Sequence, residues 1–454
     1  MLTIPRSAFR SFRTVARKGG VGRPRGPAPP VRIVPEGDLV RFSVVLPEAI
    51  LTYRVPMVDP GSDRVLVPMT VLEAVDGPGH DPVTIEATEP LRAEVRWTDR
   101  GSARTLTTEL LLPGRQHDVP DEPPSLTAMP VAFRSALDEA GRTVSRDPSR
   151  FALHRVQLRG GTGQVIATDG RFAYLKSGFP FPFTENLLIP ASSLFGSSEF
   201  AREHEVSLAR TETHFVVTSG PWTVFLELDK SGRFPDVGGV IPNAVAPTTL
   251  VLDERDVRTL LDSLTRLPGA GAANRPITLD LAPGQPAVVR AKADDSNEVG
   301  EVRLARSVVT NGPVRVALDR TFLKRAVELG GRTLRVVAPD KPVVAVGGDL
   351  TVIVMSLDPT MIVTPGPVPV SQLPELERTH PMSESAELVP ATNGRTESAD
   401  ITDPLVEAEA VRAALGDLTR RAGRLVNVLK QNRKEKKALA HVWAGLRQLT
   451  HGST

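Results

Sequence analysis

The sequence predicts an α+β fold built from three copies of one unit, each with two helices and many strands. Three observations predict it. Helix-like stretches begin near Pro5, Pro130 and Asp253, each with apolar residues at helical spacing: Phe9 and Phe12; Phe133 and Leu137; Val257, Leu261 and Leu264. A strand-to-helix phrase recurs three times: Val65-Leu66-Val67-Pro68 before Leu72, Leu187-Leu188-Ile189-Pro190 before Leu194, and Val314-Arg315-Val316-Ala317-Leu318 before Phe322-Leu323. Strand patterns fill the intervals, among them Leu39-Val40-Arg41-Phe42-Ser43-Val44, Thr84-Ile85-Glu86-Ala87, Phe215-Val216-Val217 and Thr333-Leu334-Arg335-Val336-Val337. The copies share an architecture rather than residue identity.

Taken in order, the first helix starts where Ile4 leads into Pro5. Phe9, Phe12 and Ala16 form its apolar side. Arg6, Arg10, Arg13 and Arg17 recur at spacings of four, three and four and line a different side. That stripe fits a wall facing a polyanion and fits a solvated helix face equally well. Residues 1–26 hold no acid, which also describes an organellar transit peptide, the minority reading beside a regular helix. Residues 19–30 read as a loop inside the first unit. Asp118-Val119-Pro120-Asp121-Glu122-Pro123-Pro124 and Pro242-Asn243-Ala244-Val245-Ala246-Pro247 read as linkers. The expected domains are therefore 1–122, 125–243 and 246–358.

Beyond Asp358 the composition changes. Residues 359–403 are rich in Pro, Ser, Thr and Glu and are expected to be a disordered linker. Over 404–450 a helix is predicted, with Val411, Leu415, Leu418, Ala422, Leu425, Leu429, Asn432, Lys436, Leu439, Trp443 and Leu446 at alternating spacings of four and three. That is a coiled-coil seam. Self-association, a partner helix and packing against the chain's own body all fit it. Lys430, Arg433, Lys434, Lys436 and Lys437 make the same stretch basic.

Composition excludes more than it nominates. The 454 residues carry 55 Lys and Arg against 53 Asp and Glu, a net charge of +2, which leaves room for local basic faces. There is no cysteine, so disulfides, thiolate metal sites and cysteine nucleophiles are excluded. No apolar run reaches the length of a membrane span, and a cytoplasmic protein is expected. The eight histidines are scattered without a metal-binding pair. Gly160-Gly161-Thr162-Gly163 lacks the Lys-Ser/Thr of a phosphate-binding loop and reads as a hairpin turn. Asp169 sits in a Thr-Asp-Gly turn, where Asp caps and Gly takes the left-handed conformation. No catalytic residue, metal site or cofactor is nominated, and the chain is expected not to be an enzyme.

Several phrases resemble the bacterial DNA polymerase III beta subunit, the sliding clamp family. They are Ser149-Arg150-Phe151-Ala152-Leu153, Val165-Ile166-Ala167-Thr168-Asp169-Gly170, Leu188-Ile189-Pro190, Gly232-Arg233-Phe234-Pro235-Asp236 with Val240-Ile241-Pro242, and Val352-Ile353-Val354-Met355-Ser356-Leu357. The resemblance covers residues 1–358 in organisation. It implies three clamp-type domains, each with two helices on curved antiparallel sheets, and two chains joined head to tail into a ring around double-stranded DNA. DNA would be held by its phosphates without sequence reading, since base contacts would arrest sliding. The candidate DNA contacts are Arg6, Arg10, Arg13 and Arg17, then Arg134, Arg142, Arg255 and Lys324.

The resemblance also implies DNA polymerase and clamp-loader partners whose peptides enter an apolar cleft. Carried over by motif, that cleft comprises Leu153, Thr168, Gly170, Arg171, Phe172, Pro235, Val240, Met355 and Leu357. Three departures stand out. Arg171-Phe172-Ala173 follows the turn where the family has His-Arg-Leu. Gly239 stands where a basic residue is usual. Met355-Ser356-Leu357-Asp358 replaces a terminal Met-Pro-Met-Arg-Leu, and the chain runs on beyond it. A specialised paralogue fits these departures. So does a non-encircling clamp-fold scaffold that acts through its C-terminal helix.

Overall fold

The computed structural model describes residues 1–21, 28–57, 61–147, 152–243, 246–293 and 299–365. Met1–Val370 forms one compact unit. Its strands make four sheets in which the neighbouring strands run antiparallel. One four-stranded sheet has the order Leu2–Pro5, Pro82–Glu89, Arg92–Asp99, Ser102–Glu109. The other four-stranded sheet has the order Val299–Leu304, Ala287–Lys292, Pro276–Leu281, Val314–Asp319.

The remaining two sheets are double in width, with eight and nine strands. Each runs across an expected boundary. In the eight-stranded sheet Ala49–Pro56 pairs with Trp222–Glu227, setting Leu51 opposite Val224. In the nine-stranded sheet Phe172–Lys176 pairs with Leu350–Val354, setting Ala173 opposite Ile353. Backbone ladders, rather than linkers alone, thus tie the expected units to one another.

Six α-helices lie among the described residues: α1 Arg6–Ala16, α2 Met69–Ala74, α3 Ala132–Thr143, α4 Ser198–Ala201, α5 Glu254–Leu264 and α6 Arg320–Glu328. They pack in pairs, α1 with α2, α3 with the stretch around α4, and α5 with α6. The Asp253 side chain accepts the Arg255 N–H at 2.8 Å and starts α5. Asp319 does the same for α6 through Thr321, also at 2.8 Å. The second helix of the middle unit is split into a 3-10 turn, Ser193–Gly196, and the short α4. Ser197 accepts the Phe200 N–H at 3.2 Å and restarts the helix there.

Aromatic side chains join the first two units. Trp222 stacks on Tyr53 with ring centroids 4.0 Å apart, and it also meets Phe12 and Phe200. Phe9 meets Phe42 edge-on at 5.2 Å. These rings are nearly all fully buried, and each contributes about 2–3 kcal/mol of apolar burial.

The stretch 359–403 was expected to be a disordered linker from its first residue, and its start is not. Asp358 caps a 3-10 turn, Pro359–Met361, and the Val363 N–H donates to Thr278 Oγ1 at 2.7 Å. Ile362 and Pro365 also lie against the third unit, beside Val314 and Val337, so the start of this Pro-rich stretch is held on the body as far as residue 365. The rest of the expected linker and the 404–450 helix lie outside the described residues.

Candidate functional site

The hairpin that carries the Thr-Asp-Gly turn is built by its own side chains. Arg155–Arg159 and Gln164–Thr168 are joined by a 3-10 turn, Gly160–Thr162, and Gly163 takes a φ of +62°. A Cβ at Gly163 would lie 2.5 Å from the Phe179 carbonyl oxygen, which explains the glycine. At the next turn Asp169 Oδ1 accepts the N–H groups of Arg171 (2.8 Å) and Phe172 (2.7 Å). The Thr168 hydroxyl donates to the Phe172 carbonyl at 2.9 Å and accepts the Gly170 N–H at 3.0 Å. Gly170 sits at a φ of +91°. The turn therefore consumes Asp169 as a cap and presents Gly170 and Arg171 at the strand edge.

The Gly232-Arg233-Phe234-Pro235-Asp236 segment is anchored by Asp229. Its Oδ1 accepts N–H groups from Ser231 (3.0 Å) and Gly232 (2.9 Å), and its Oδ2 accepts from Arg155 (3.1 Å). Burial alone would raise the Asp229 carboxyl, but these hydrogen bonds hold it below the usual carboxylate range. From this anchor the chain folds over the outer face of the nine-stranded sheet. Strand alternation sends Phe172 and Tyr174 into the main core, while Ala173, Leu175, Ile166 and Ile353 join Val237 and Phe234 in a small separate apolar cluster.

Beside that cluster lies a cavity of about 290 Å³, close to the small end of ligand-pocket sizes. Eight of the nine cleft residues expected from sequence line it: Leu153, Thr168, Gly170, Arg171, Phe172, Pro235, Val240 and Met355. Leu357 does not. It is 8 % exposed and its N–H donates to the Ala317 carbonyl at 2.8 Å, so it belongs to the body of the third unit. Ala173, Asp236, Val237 and Ile353 line the cavity and were not anticipated. The period-two rule could have found Ile353, which precedes Met355 by two at the end of the strand Leu350–Val354. Val237 had no sequence signal. Arg171 and Asp236 place one cation and one anion among otherwise mostly apolar groups.

The candidate DNA contacts divide three ways. Arg6 and Arg134 are corrected, because both are buried at 4 % and 8 % exposure. Arg6 donates to the carbonyls of Val75 (2.6 Å), Asp76 (3.0 Å) and Thr98 (3.1 Å) and pairs with Asp99. Arg134 donates to the carbonyls of Phe200, Ala201 and Glu203. Each thereby satisfies carbonyls left free at the C-terminal end of α2 or α4. Arg320 does the same for α5, donating to Leu267 O at 2.6 Å. Helical spacing alone could not separate such capping arginines from surface ones.

Arg13 pairs with Asp76, Arg142 with Asp138 and Glu139, and Lys324 with Glu328. Arg10, Arg17 and Arg255 stand exposed with no ion pair among the described residues. Arg258 and Arg266, on and just beyond α5, are likewise exposed and went unnoticed among the acidic residues of that helix. Among the described residues no group of three or more His, Asp or Glu could hold a metal ion, and no helix is long and apolar enough to cross a membrane.

Against known proteins, no family model matches the sequence, and none of the curated proteins compared matches it. Solved structures do. The sliding clamp (DNA polymerase III subunit beta) of Pseudomonas aeruginosa, bound to griselimycin, aligns with a TM-score of 0.65 at 20% identity, over 79% of this chain and 99% of that one. The DNA polymerase III beta chain of Streptococcus pneumoniae gives 0.64 at 15% identity, over 79% and 100%. A putative DNA polymerase III beta subunit from Eubacterium rectale gives 0.63 at 11% identity, over 78% and 98%. The chain therefore has the fold of the bacterial DNA polymerase III beta subunits, the sliding clamps.

Proposed function

We propose that this chain is a sliding clamp: a homodimeric, cytoplasmic ring around double-stranded DNA that tethers a DNA polymerase or another replication or repair protein. In this reading residues 1–122, 125–243 and 246–358 are three clamp-type domains, a clamp loader places the ring on DNA, and no reaction is assigned. The observation that carries the proposal is the sheet topology. Two sheets are of double width and cross between units, while the two four-stranded ones are half that width. Each half sheet ends in an edge strand with no further neighbour among the described residues, Ser102–Glu109 in one and Val299–Leu304 in the other. Open edges of that length invite pairing. Joining one copy's first edge to its partner's second completes another eight-stranded sheet, and repeating the joint closes a two-fold ring.

The exposed cations Arg10, Arg17 and Arg255 then serve as phosphate contacts, with Arg13, Arg142 and Lys324 as weaker ones tied to carboxylates. Leu153, Thr168, Gly170, Arg171, Phe172, Pro235, Val240 and Met355 receive an apolar side chain of a partner peptide.

The absence of native cysteine makes the joint directly testable. Thr107→Cys combined with Arg303→Cys, both on the solvent face of their strands, with same-face neighbours scanned to find the register, forms disulfides between copies on oxidation. The covalent dimer then remains on circular DNA at high salt and leaves once the DNA is linearised. If no position of the scan yields a covalent dimer, the ring fails and the non-encircling scaffold reading takes its place. Griselimycin, bound by the Pseudomonas aeruginosa clamp, is offered to this chain as a probe, and a shift of the Met355 methyl resonance on its addition would place it at the cavity.

A further inference from the structure

Nothing in the sequence pattern singles out Arg325, yet its side chain reaches from the third unit to Glu139, Arg142 and Thr143 of the second. It leaves α6 and reaches the last turn of α3. Nη2 donates to the Glu139 carbonyl at 3.1 Å and to Thr143 Oγ1 at 2.8 Å, and Nη1 donates to the Arg142 carbonyl at 3.0 Å. Nη2 also lies 3.5 Å from the Glu139 carboxylate. Arg6, Arg134 and Arg320 each satisfy carbonyls within their own unit. Arg325 satisfies those of the preceding one.

The same guanidinium stacks over the Phe172 ring, 5.2 Å from its centroid. Phe322, one turn earlier on α6, meets that ring at 5.6 Å. Phe172 is 2 % exposed and lines the 290 Å³ cavity. The strand that contributes Gly170, Arg171 and Phe172 to the cavity lining is thus held from its core side by two residues three apart on a single helix.

We propose that Arg325 is a positioning residue for the cavity: it clamps the end of α3 to α6 and fixes the Phe172 ring on the core side of the strand whose turn lines the cavity. Its functional consequence rests on the reading of the cavity as a partner site, whereas the positioning itself does not. A planar guanidinium can donate to several carbonyls and lie over a ring at once, which the single ammonium of lysine cannot. The cavity admits few atoms, so a modest shift of one wall changes which side chain fits.

The test uses the full chain with ¹³C-methyl methionine, seven residues in all, and follows the Met355 methyl at the cavity. Three variants are compared: Arg325→Met, which keeps the apolar stem; Arg325→Lys, which keeps a cation near the ring; and Thr143→Val, which removes the hydrogen bond from Arg325 and the one to the Glu139 carbonyl and leaves the cation in place. Arg325→Met shifts the Met355 resonance without any ligand and weakens griselimycin binding about tenfold. Arg325→Lys gives the same readouts at intermediate size in a milder background. Thr143→Val lowers the unfolding midpoint and changes neither readout.

An unmoved Met355 resonance in Arg325→Met overturns the proposal. So does a Thr143→Val variant that loses as much affinity as Arg325→Met, since the effect would then follow stability alone. If griselimycin leaves the wild-type resonance unmoved while Arg325→Met shifts it, the partner-site reading falls and the positioning role stands.

Discussion

Replacing Arg134 by methionine separates a structural arginine from a DNA contact. In the native chain its guanidinium serves three carbonyls at the end of α4, those of Phe200, Ala201 and Glu203. The Ala201 contact is 3.4 Å and marginal, leaving the bonds to Phe200 and Glu203. Hydrogen bonds from a charged donor contribute about 1.5–3 kcal/mol each, and the orphaned carbonyls keep their desolvation cost. Methionine retains the stem's packing. The expected loss is therefore about 3–5 kcal/mol.

Urea unfolding with an unchanged m-value measures it. Duplex binding measured across a salt series should retain its slope. Arg10→Met, at an exposed and unpaired site, gives the opposite pattern: stability within about 0.5 kcal/mol and a salt slope smaller by about one unit. If Arg134→Met costs under about 1 kcal/mol and reduces the salt slope as Arg10→Met does, the assignment of Arg134 to helix capping is refuted.

Further outcomes follow from the same packing. Trp222→Ala removes a ring shared by Tyr53, Phe12 and Phe200 and should destabilise by about 3–5 kcal/mol, read from the denaturant midpoint. Gly170→Ala forces an L-residue to a φ of +91°, costing about 1–3 kcal/mol read from the denaturant midpoint; unchanged stability would contradict that strain. The hydrogen bond from Lys176 holds Asp349 below the usual carboxylate range, although partial burial opposes it. Its folded-state pKa is depressed, so its stabilisation is complete above the unfolded value of about 3.9 and fades as pH falls through the folded one. Asp349 is half-exposed, so the stability gap between wild type and Lys176→Met should be under about 1 kcal/mol, flat near neutrality, and narrowing below about pH 4.

Much of this was legible in the sequence, for identifiable reasons. Helix starts at Pro5, Pro130 and Asp253 rest on local chemistry, and α1, α3 and α5 begin within two residues of them. The Thr168-Asp169-Gly170 turn is likewise determined by its own side chains. Eight cleft residues gather around one cavity because they sit in short motifs at strand edges. What was illegible depends on distant partners. Helical spacing shows that Arg6, Arg10, Arg13 and Arg17 share a side; it does not show that the carbonyls of α2 end beneath Arg6. Leu357 reads as a neighbour of Met355, but its backbone is bound to Ala317. Arg325 carries no motif, and its role comes from α3, nearly two hundred residues earlier in the chain.

The ladders crossing between units mean that chain connectivity is largely redundant at the second boundary. Five residue pairs, Phe172 with Val354 through Lys176 with Leu350, bind the two sides with no help from the connecting segment. A polypeptide severed just after Asn243 would therefore persist as a two-fragment assembly, and a guest domain spliced in there would leave the sheet intact. The loop sets the order of synthesis; the sheet supplies the cohesion.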